Sequence, residues 1–115
     1  MLSKYKKNFE KQVMGYLSYL PDFKNLQNLT DEMKLYNDEN NQFEVLTYTN
    51  QDKNCIGIVG VQVTEHFVII RYLSLAPSYR STNVTKSIIK ELLGMYPDKK
   101  LSTLPNWTYL LKYAE

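Results

Sequence analysis

The stretch whose reading decides the fold is "LSLAPSYRSTNVTKSIIKELL", residues 73–93. Apolar strand formers run up to Pro77, an arginine follows at position 80, small polar residues come next, and an amphipathic segment begins near residue 84. A strand that turns into a helix N-terminus presents backbone N–H groups without intrahelical partners, and carries partial positive charge there. Such a terminus binds phosphate through main-chain donors. Arg80 would set a planar cation beside it, and Ser81, Thr82 and Thr85 would supply hydroxyls. The plainer reading is that Ser81 or Thr82 caps the helix and Arg80 is solvated. The loop holds no glycine, so the local pattern alone discriminates weakly between the two.

Working outward, the spacing predicts a helix over about 84–95, with Ile88, Ile89, Leu92, Leu93 and Met95 facing inward, ended by Pro97. "KKLST" (99–103) reads as a short strand and "NWTYLLKY" (106–113) as a last helix. Upstream, "HFVIIRYLSLA" (66–76) is a near-continuous apolar strand, expected in the centre of a sheet and covered on both faces. "CIGIVGVQV" (55–63) and "FEVLTY" (43–48) are two further strands, joined by "TNQDKN" (49–54), with Thr64 and Glu65 turning the chain. "NDENNQ" (37–42) is a loop. Before it, Asp22 is expected to cap a helix bearing Phe23, Leu26, Leu29, Met33 and Tyr36 on one stripe. Residues 8–20 form an earlier amphipathic helix that Pro21 stops. The order ααβββαβα predicts a single domain over 1–115, a mixed α/β sheet with helices on both sides, and a right-handed crossover into the last strand.

Composition excludes several classes. In 115 residues, a net charge of +2 with both signs spread along the chain argues against a nucleic-acid partner. Lysine is dense only at Lys4, Lys6, Lys7 and Lys11, which is the pattern of a solvated helix face. No apolar run approaches the ~20 residues of a membrane span, so no membrane partner is expected. The single cysteine, Cys55, forms no internal disulfide and fits a reducing compartment. Without a signal-like h-region, the three N-x-[ST] sequons at Asn28, Asn83 and Asn106 read as chance, and a cytoplasmic location is expected. No His/Cys spacing suggests a metal.

The segment "LSLAPSYRSTNVT" resembles the central motif of the GCN5-related N-acetyltransferase superfamily, L-x-V-x-P-x-x-R-x-x-G-x-G/A, with Leu73, Leu75, Pro77 and Arg80 on matching positions. The element order is also that superfamily's. The start, "YKKNFEKQVMGYLSYLP", the P-S-x-R segment and the late P-N before a helix resemble the small RibT-like proteins of bacterial riboflavin operons. The resemblance implies acetyl-coenzyme A as cosubstrate. Its pyrophosphate would sit on the main chain of Arg80, Ser81, Thr82, Asn83, Val84 and Thr85, and its pantetheine arm along Leu73, Ser74 and Leu75, where a bulge separates two strands. It further implies Asn106 as a cofactor contact and Tyr113 as the acid that protonates the departing thiolate, with Tyr109 one turn earlier as substitute. Asn83 and Thr85 stand where the family has glycine, and glycine or alanine. Asn83 is expected to keep the turn by tolerating left-handed φ, and the Thr85 side chain to narrow the approach. Full-length members continue with two more strands, the family's sixth and seventh. This sequence ends before them, which leaves an expected open edge at 99–103, to be covered by the last helix or by a second copy.

No general base stands out. Glu65 and His66 belong to a hairpin end, and Glu44 has no visible partner. Arg71, in the apolar strand, is expected to pair with a carboxylate from another element or to touch substrate. Cys55 begins a strand and reads as packing. Two functions remain open at this level: an acetyl-coenzyme A-dependent transferase acting on an unidentified amine by direct transfer, or a non-catalytic member of the same fold that binds a partner with coenzyme A binding weakened or lost.

Overall fold

The computed structural model describes residues 1–38 and 42–114, so the centre of the expected 37–42 loop lies outside the described residues. The elements are β1 (Leu2–Lys4), a 3-10 turn at Lys7–Phe9, α1 (Glu10–Leu17), a 3-10 turn at Pro21–Phe23, α2 (Leu26–Tyr36), β2 (Phe43–Thr49), β3 (Cys55–Val63), β4 (Phe67–Leu75), a 3-10 turn at Pro77–Tyr79, α3 (Thr82–Met95), β5 (Lys100–Thr103) and a 3-10 helix at Pro105–Ala114. They build one five-stranded sheet in the order β1-β2-β3-β4-β5. The first four strands pair antiparallel and β4 pairs parallel with β5 across the α3 crossover.

Two cores cover the two faces. Leu46, Val59, Val68, Ile70, Leu73 and Leu75 pack under Ile88, Ile89 and Leu92 of α3 and Leu110 of the last helix. Val45, Ile58 and Tyr72 pack on the other face under Val13 and Leu17 of α1 and Leu29 and Met33 of α2. Burying each such aliphatic side chain contributes roughly 1.5–3 kcal/mol, so the two helical layers hold the sheet between them. β4 is covered on both faces, as its apolar run predicts.

Four expectations need correction. The ααβββαβα order lacks an element: the lysine-rich start is not only a solvated approach, because Leu2–Lys4 adds an edge strand to β2 through Leu2↔Tyr48 and Lys4↔Leu46. Leu2 is buried, and its N–H donates to Glu91 Oε1 at 3.0 Å. Asp22 does not cap the second helix. Pro21–Phe23 is a separate turn, and Asn25 Oδ1 accepts from Gln27 N and Asn28 N at 2.8 and 3.2 Å. The helix after the opening loop begins earlier than 84, at Thr82. The last helix is wound as 3-10 over its whole length.

β4 carries an extra residue. Gly60 pairs with Tyr72 and Val61 with Ile70, so Arg71 is bulged out opposite no partner. The bulge changes the side-chain parity. Val68 and Ile70 before it, and Leu73 and Leu75 after it, all face the α3 core. Gly60 has no room for a side chain, since an added Cβ would stand 2.2 Å from the Tyr72 ring.

Candidate active site

The site forms where β4 and β5 part. Their ladder ends at Ile70↔Thr103, and the Leu104 N–H makes a last bond to Ile70 O at 2.9 Å. Beyond that point β4 runs on through Leu75 without a partner on its β5 side. Ala76 N donates to Ile56 O at 2.9 Å, so Ala76, Ser74 and Tyr72 point their backbone groups at β3. By alternation the N–H groups of Leu73 and Leu75 point into the gap. The Leu75 carbonyl confirms the direction, because it accepts from Arg80 Nε at 3.0 Å across that gap.

A cavity of about 480 Å³ opens there. It brings together Leu73, Ser74, Leu75, Arg80, Ser81, Thr82, Thr85, Tyr109 and Tyr113, nine of the residues singled out from sequence. Three of the expected set do not line it: Asn83, Val84 and Asn106. Sequence reasoning missed Tyr19, Leu20 and Trp107, which complete the wall. Tyr19 and Leu20 follow α1 and are brought over by tertiary packing, with Arg80 stacked 5.3 Å from the Tyr19 ring centre.

At the α3 terminus the capping part of the plainer reading holds, while Arg80 is engaged by Leu75 O and the Tyr19 ring. Ser81 caps the helix, its Oγ accepting from Val84 N at 3.2 Å. Thr85 N and Thr85 Oγ1 both donate to Ser81 O, at 3.1 and 3.0 Å. The N–H groups of Thr82 and Asn83, in the first turn, have no intrahelical acceptor. The expectation that Asn83 holds a left-handed turn is wrong, because Lys53 is the one non-glycine residue with positive φ among the described residues and Asn83 lies inside α3. The loop therefore makes no conformational demand for glycine at that position. The Thr85 hydroxyl is folded back on its own helix.

The winding of the last helix decides which residues share the cavity. In an α-helix, Asn106 and Tyr113, seven apart, would lie on one face. In a 3-10 helix residues three apart eclipse, so Trp107, Leu110 and Tyr113 form the inward stripe, half-buried, buried and half-buried in turn. Asn106 is turned away. It lines a second cavity of about 350 Å³ with Asp22, Phe23, Arg71 and Tyr72. Trp107 and Leu20 line both cavities, and Trp107 packs against both cores. The indole stands between the two spaces, at the fork of the strands.

Supporting contacts hold the fork in shape. Ser74, buried, donates from Oγ to Tyr16 O at 2.6 Å, and Tyr16 OH donates to Cys55 O at 2.7 Å, tying α1 to β4 and β3. Burial pushes the Tyr16 phenol above its usual range. Arg71 pairs with Glu32 of α2, as the expectation of a partner carboxylate required, and Tyr36 OH donates to the same Glu32 carboxylate. Burial likewise raises the Tyr109 pKa, with Tyr113 beside it adding to the effect, so that phenol stays protonated at neutral pH. Cys55 is half-buried at the start of β3, its thiol pushed up by burial, which suits packing rather than nucleophilic chemistry. Among the described residues no group of His, Cys, Asp and Glu could hold a metal ion, and no helix is long and apolar enough to cross a membrane.

No family model matches the chain. It is 41% identical over 107 residues to an uncharacterized N-acetyltransferase in the lysA 3' region of Bacillus methanolicus, a match that covers 92% of this chain and 86% of that protein. Among solved structures it resembles AAC(6')-Iy in complex with a bisubstrate analogue, CoA-S-monomethyl-acetylneamine. There the TM-score is 0.68 at 16% identity, over 97% of this chain and 84% of that one. It also resembles a probable acetyltransferase, with a TM-score of 0.73 at 9% identity, over 98% of this chain and 85% of that one.

Proposed function

Given that the chain belongs to the GCN5-related N-acetyltransferase superfamily, as its 41%-identical relative and the matching fold establish, we propose that it transfers acetyl from acetyl-coenzyme A directly to a primary amine. The observation that carries this reading is the fork itself: β4 leaves β5 after Ile70 and turns the Leu73 and Leu75 N–H groups into a cavity that ends at the α3 N-terminus.

The residues present fit the cosubstrate. The Thr82 and Asn83 N–H groups and the helix dipole offer an anion seat, and Arg80, braced by Leu75 O and Tyr19, keeps its outer guanidinium nitrogens for the same anion. The cavity of about 480 Å³ falls within the ~300–1,000 Å³ typical of small-molecule sites. The cosubstrate supplies an acetyl thioester, whose carbonyl is the electrophile. The Leu73 and Leu75 N–H groups are aimed to polarise that carbonyl from the unpaired strand edge, and donors fixed in advance need no reorganisation as charge develops. Tyr113, half-buried on the inward stripe of the last helix, is the acid for the thiolate, and Tyr109 is its exposed neighbour. The amine arrives from the second cavity, across Trp107. The likeness to riboflavin-operon proteins, resting on residues 5–21, 77–80 and 105–106, makes flavin-pathway amines sensible members of a substrate screen.

Calorimetric titration with acetyl-coenzyme A tests the reading. Binding is expected, with a loss of at least tenfold on Arg80→Ala and abolition on Thr85→Asp, which sets a carboxylate at the anion seat. No heat at millimolar ligand would sink it.

A further inference from the structure

The second cavity, of about 350 Å³, has a chemistry of its own. Its walls are apolar and aromatic: Leu20, Pro21, Phe23, Tyr72, Leu104 and Trp107. Phe23 and Tyr72 meet edge to face with ring centres 5.7 Å apart, so that side is a fixed aromatic wall. The volume corresponds to roughly a dozen water-sized volumes, which suits a molecule of about that many non-hydrogen atoms rather than a folded partner.

Two charged residues line this cavity, and they are not equivalent. Arg71 has already committed both terminal nitrogens to Glu32, and Nη1 also donates to Tyr36 OH at 3.3 Å. A buried carboxylate in bidentate contact offsets its charge. Asp22 is the opposite case. Because Asn25 caps α2, Asp22 contributes its backbone carbonyl, to Asn28 Nδ2 at 3.0 Å, while its carboxylate has no hydrogen-bond or ion-pair partner among the described residues. It lines the cavity at the Pro21–Phe23 turn. The unspent charge of the cavity is therefore negative.

We propose that this cavity takes a small primary amine with an apolar or aromatic body and no carboxylate, its ammonium held by Asp22. The assignment rests on the transferase reading for the role of the bound amine as acetyl acceptor; the binding itself stands apart from it. Arg71 does not recruit an acceptor carboxylate, because Glu32 occupies that role. The two cavities share Leu20 and Trp107, so an amine in this one meets the cosubstrate cavity along the indole, with Asn106 lining the same space.

The chain contains one tryptophan, Trp107, so its fluorescence reports the occupation of this wall directly. The full chain is titrated with 2-phenylethylamine, with 2-phenylethanol, which lacks the charge, and with phenylalanine, which adds a carboxylate, each with and without saturating coenzyme A. The amine is expected to change the Trp107 emission and to bind at least tenfold more tightly than either analogue. Asp22→Asn is expected to weaken the amine about tenfold and to leave acetyl-coenzyme A affinity unchanged. Phenylalanine binding as tightly as the amine overturns the substrate class, unchanged affinity in Asp22→Asn overturns the role of Asp22, and no response to the amine in either condition overturns the site. Amine binding without acetyl-coenzyme A binding refutes the transferase reading alone, whereas acetyl-coenzyme A binding without amine binding refutes this inference alone.

Discussion

Arg71 and Glu32 form a two-pronged ion pair between the β4 bulge and α2, with Nη2 3.0 Å from Oε1 and Nη1 on Oε2. Glu32 is 5% exposed, and Tyr36 and Tyr72 join the same network, their hydroxyls 2.5 Å apart. Removing one partner strands the other charge, on a side chain that is 18% exposed for Arg71 and 5% exposed for Glu32. Glu32→Ala is expected to cost about 3–5 kcal/mol, whereas the double variant Glu32→Leu, Arg71→Met should lose much less. Urea unfolding of the single and double variants measures both. Equal losses would show that the pair is not energetically coupled.

The same cluster makes the fold sensitive to alkali. Burial raises the Tyr72 pKa above the usual 10.0, and burial, then Tyr72 and Glu32, raise that of Tyr36. A folded-state pKa above the unfolded one means that the native state holds its proton more tightly. The stability this gives is fully present below pH 10.0 and is lost as pH rises beyond it. Denaturant midpoints should be flat from about pH 7 to 9 and fall steeply above about pH 10. In Tyr36→Phe the fall should be shallower.

Gly60 faces the Tyr72 ring so closely that a methyl group must displace it. Gly60→Ala is expected to destabilise by about 1–3 kcal/mol. Thermal unfolding checks this, and Gly94→Ala, where nothing lies within 4 Å of an added Cβ, is the control that should not destabilise.

Restoring the family glycine at position 83 should not help. Asn83 is helical, with no left-handed φ to relieve, and glycine costs helix stability by up to about 1 kcal/mol relative to good helix formers. Asn83→Gly is therefore expected to leave acetyl-coenzyme A affinity unchanged or slightly weaker in calorimetry. A tenfold gain would show that the side chain, rather than the turn, had been the obstacle.

The two tyrosines of the last helix should separate in kinetics. Tyr113→Phe is expected to leave acetyl-coenzyme A binding intact and to slow transfer about 100-fold, the low end of what positioned proton transfer contributes. Tyr109→Phe, on the exposed side with the residue 52% exposed, should stay within a few-fold of the parent. The reverse ranking would move the acid to Tyr109.

Much of this was legible in the residues. Alternation and β-branched runs marked β2 and β3, the apolar stripe marked α3 to its end at Met95, and the loop after Pro77 was placed at a helix N-terminus that the structure has. What was not legible had physical causes. Leu2–Lys4 is too short to show a period, and it is a strand only because Tyr48 and Leu46 lie opposite it. Asp22 and Asn25 are both good caps, and which one serves depends on where Pro21–Phe23 closes its own turn. The resemblance implied a bulge along Leu73–Leu75, but its true position at Arg71 hides in a run apolar on both faces, where a change of parity leaves no pattern to break.

The sequence by itself determined β2 to β5, the three α-helices, the cover on both faces of β4 and a helix N-terminus after Pro77, because those follow from side-chain periodicity and local backbone chemistry. The tertiary structure alone decided that β4 leaves β5 after Ile70, that Arg71 meets Glu32 thirty-nine residues away, and that the last helix winds as 3-10. That last choice put Tyr113 and Asn106 in different cavities with Trp107 between them. A spacing of seven residues carries no rotation of its own. The winding of the helix supplies it, and with that winding Leu110 packs into the α3 core and Trp107 against both cores.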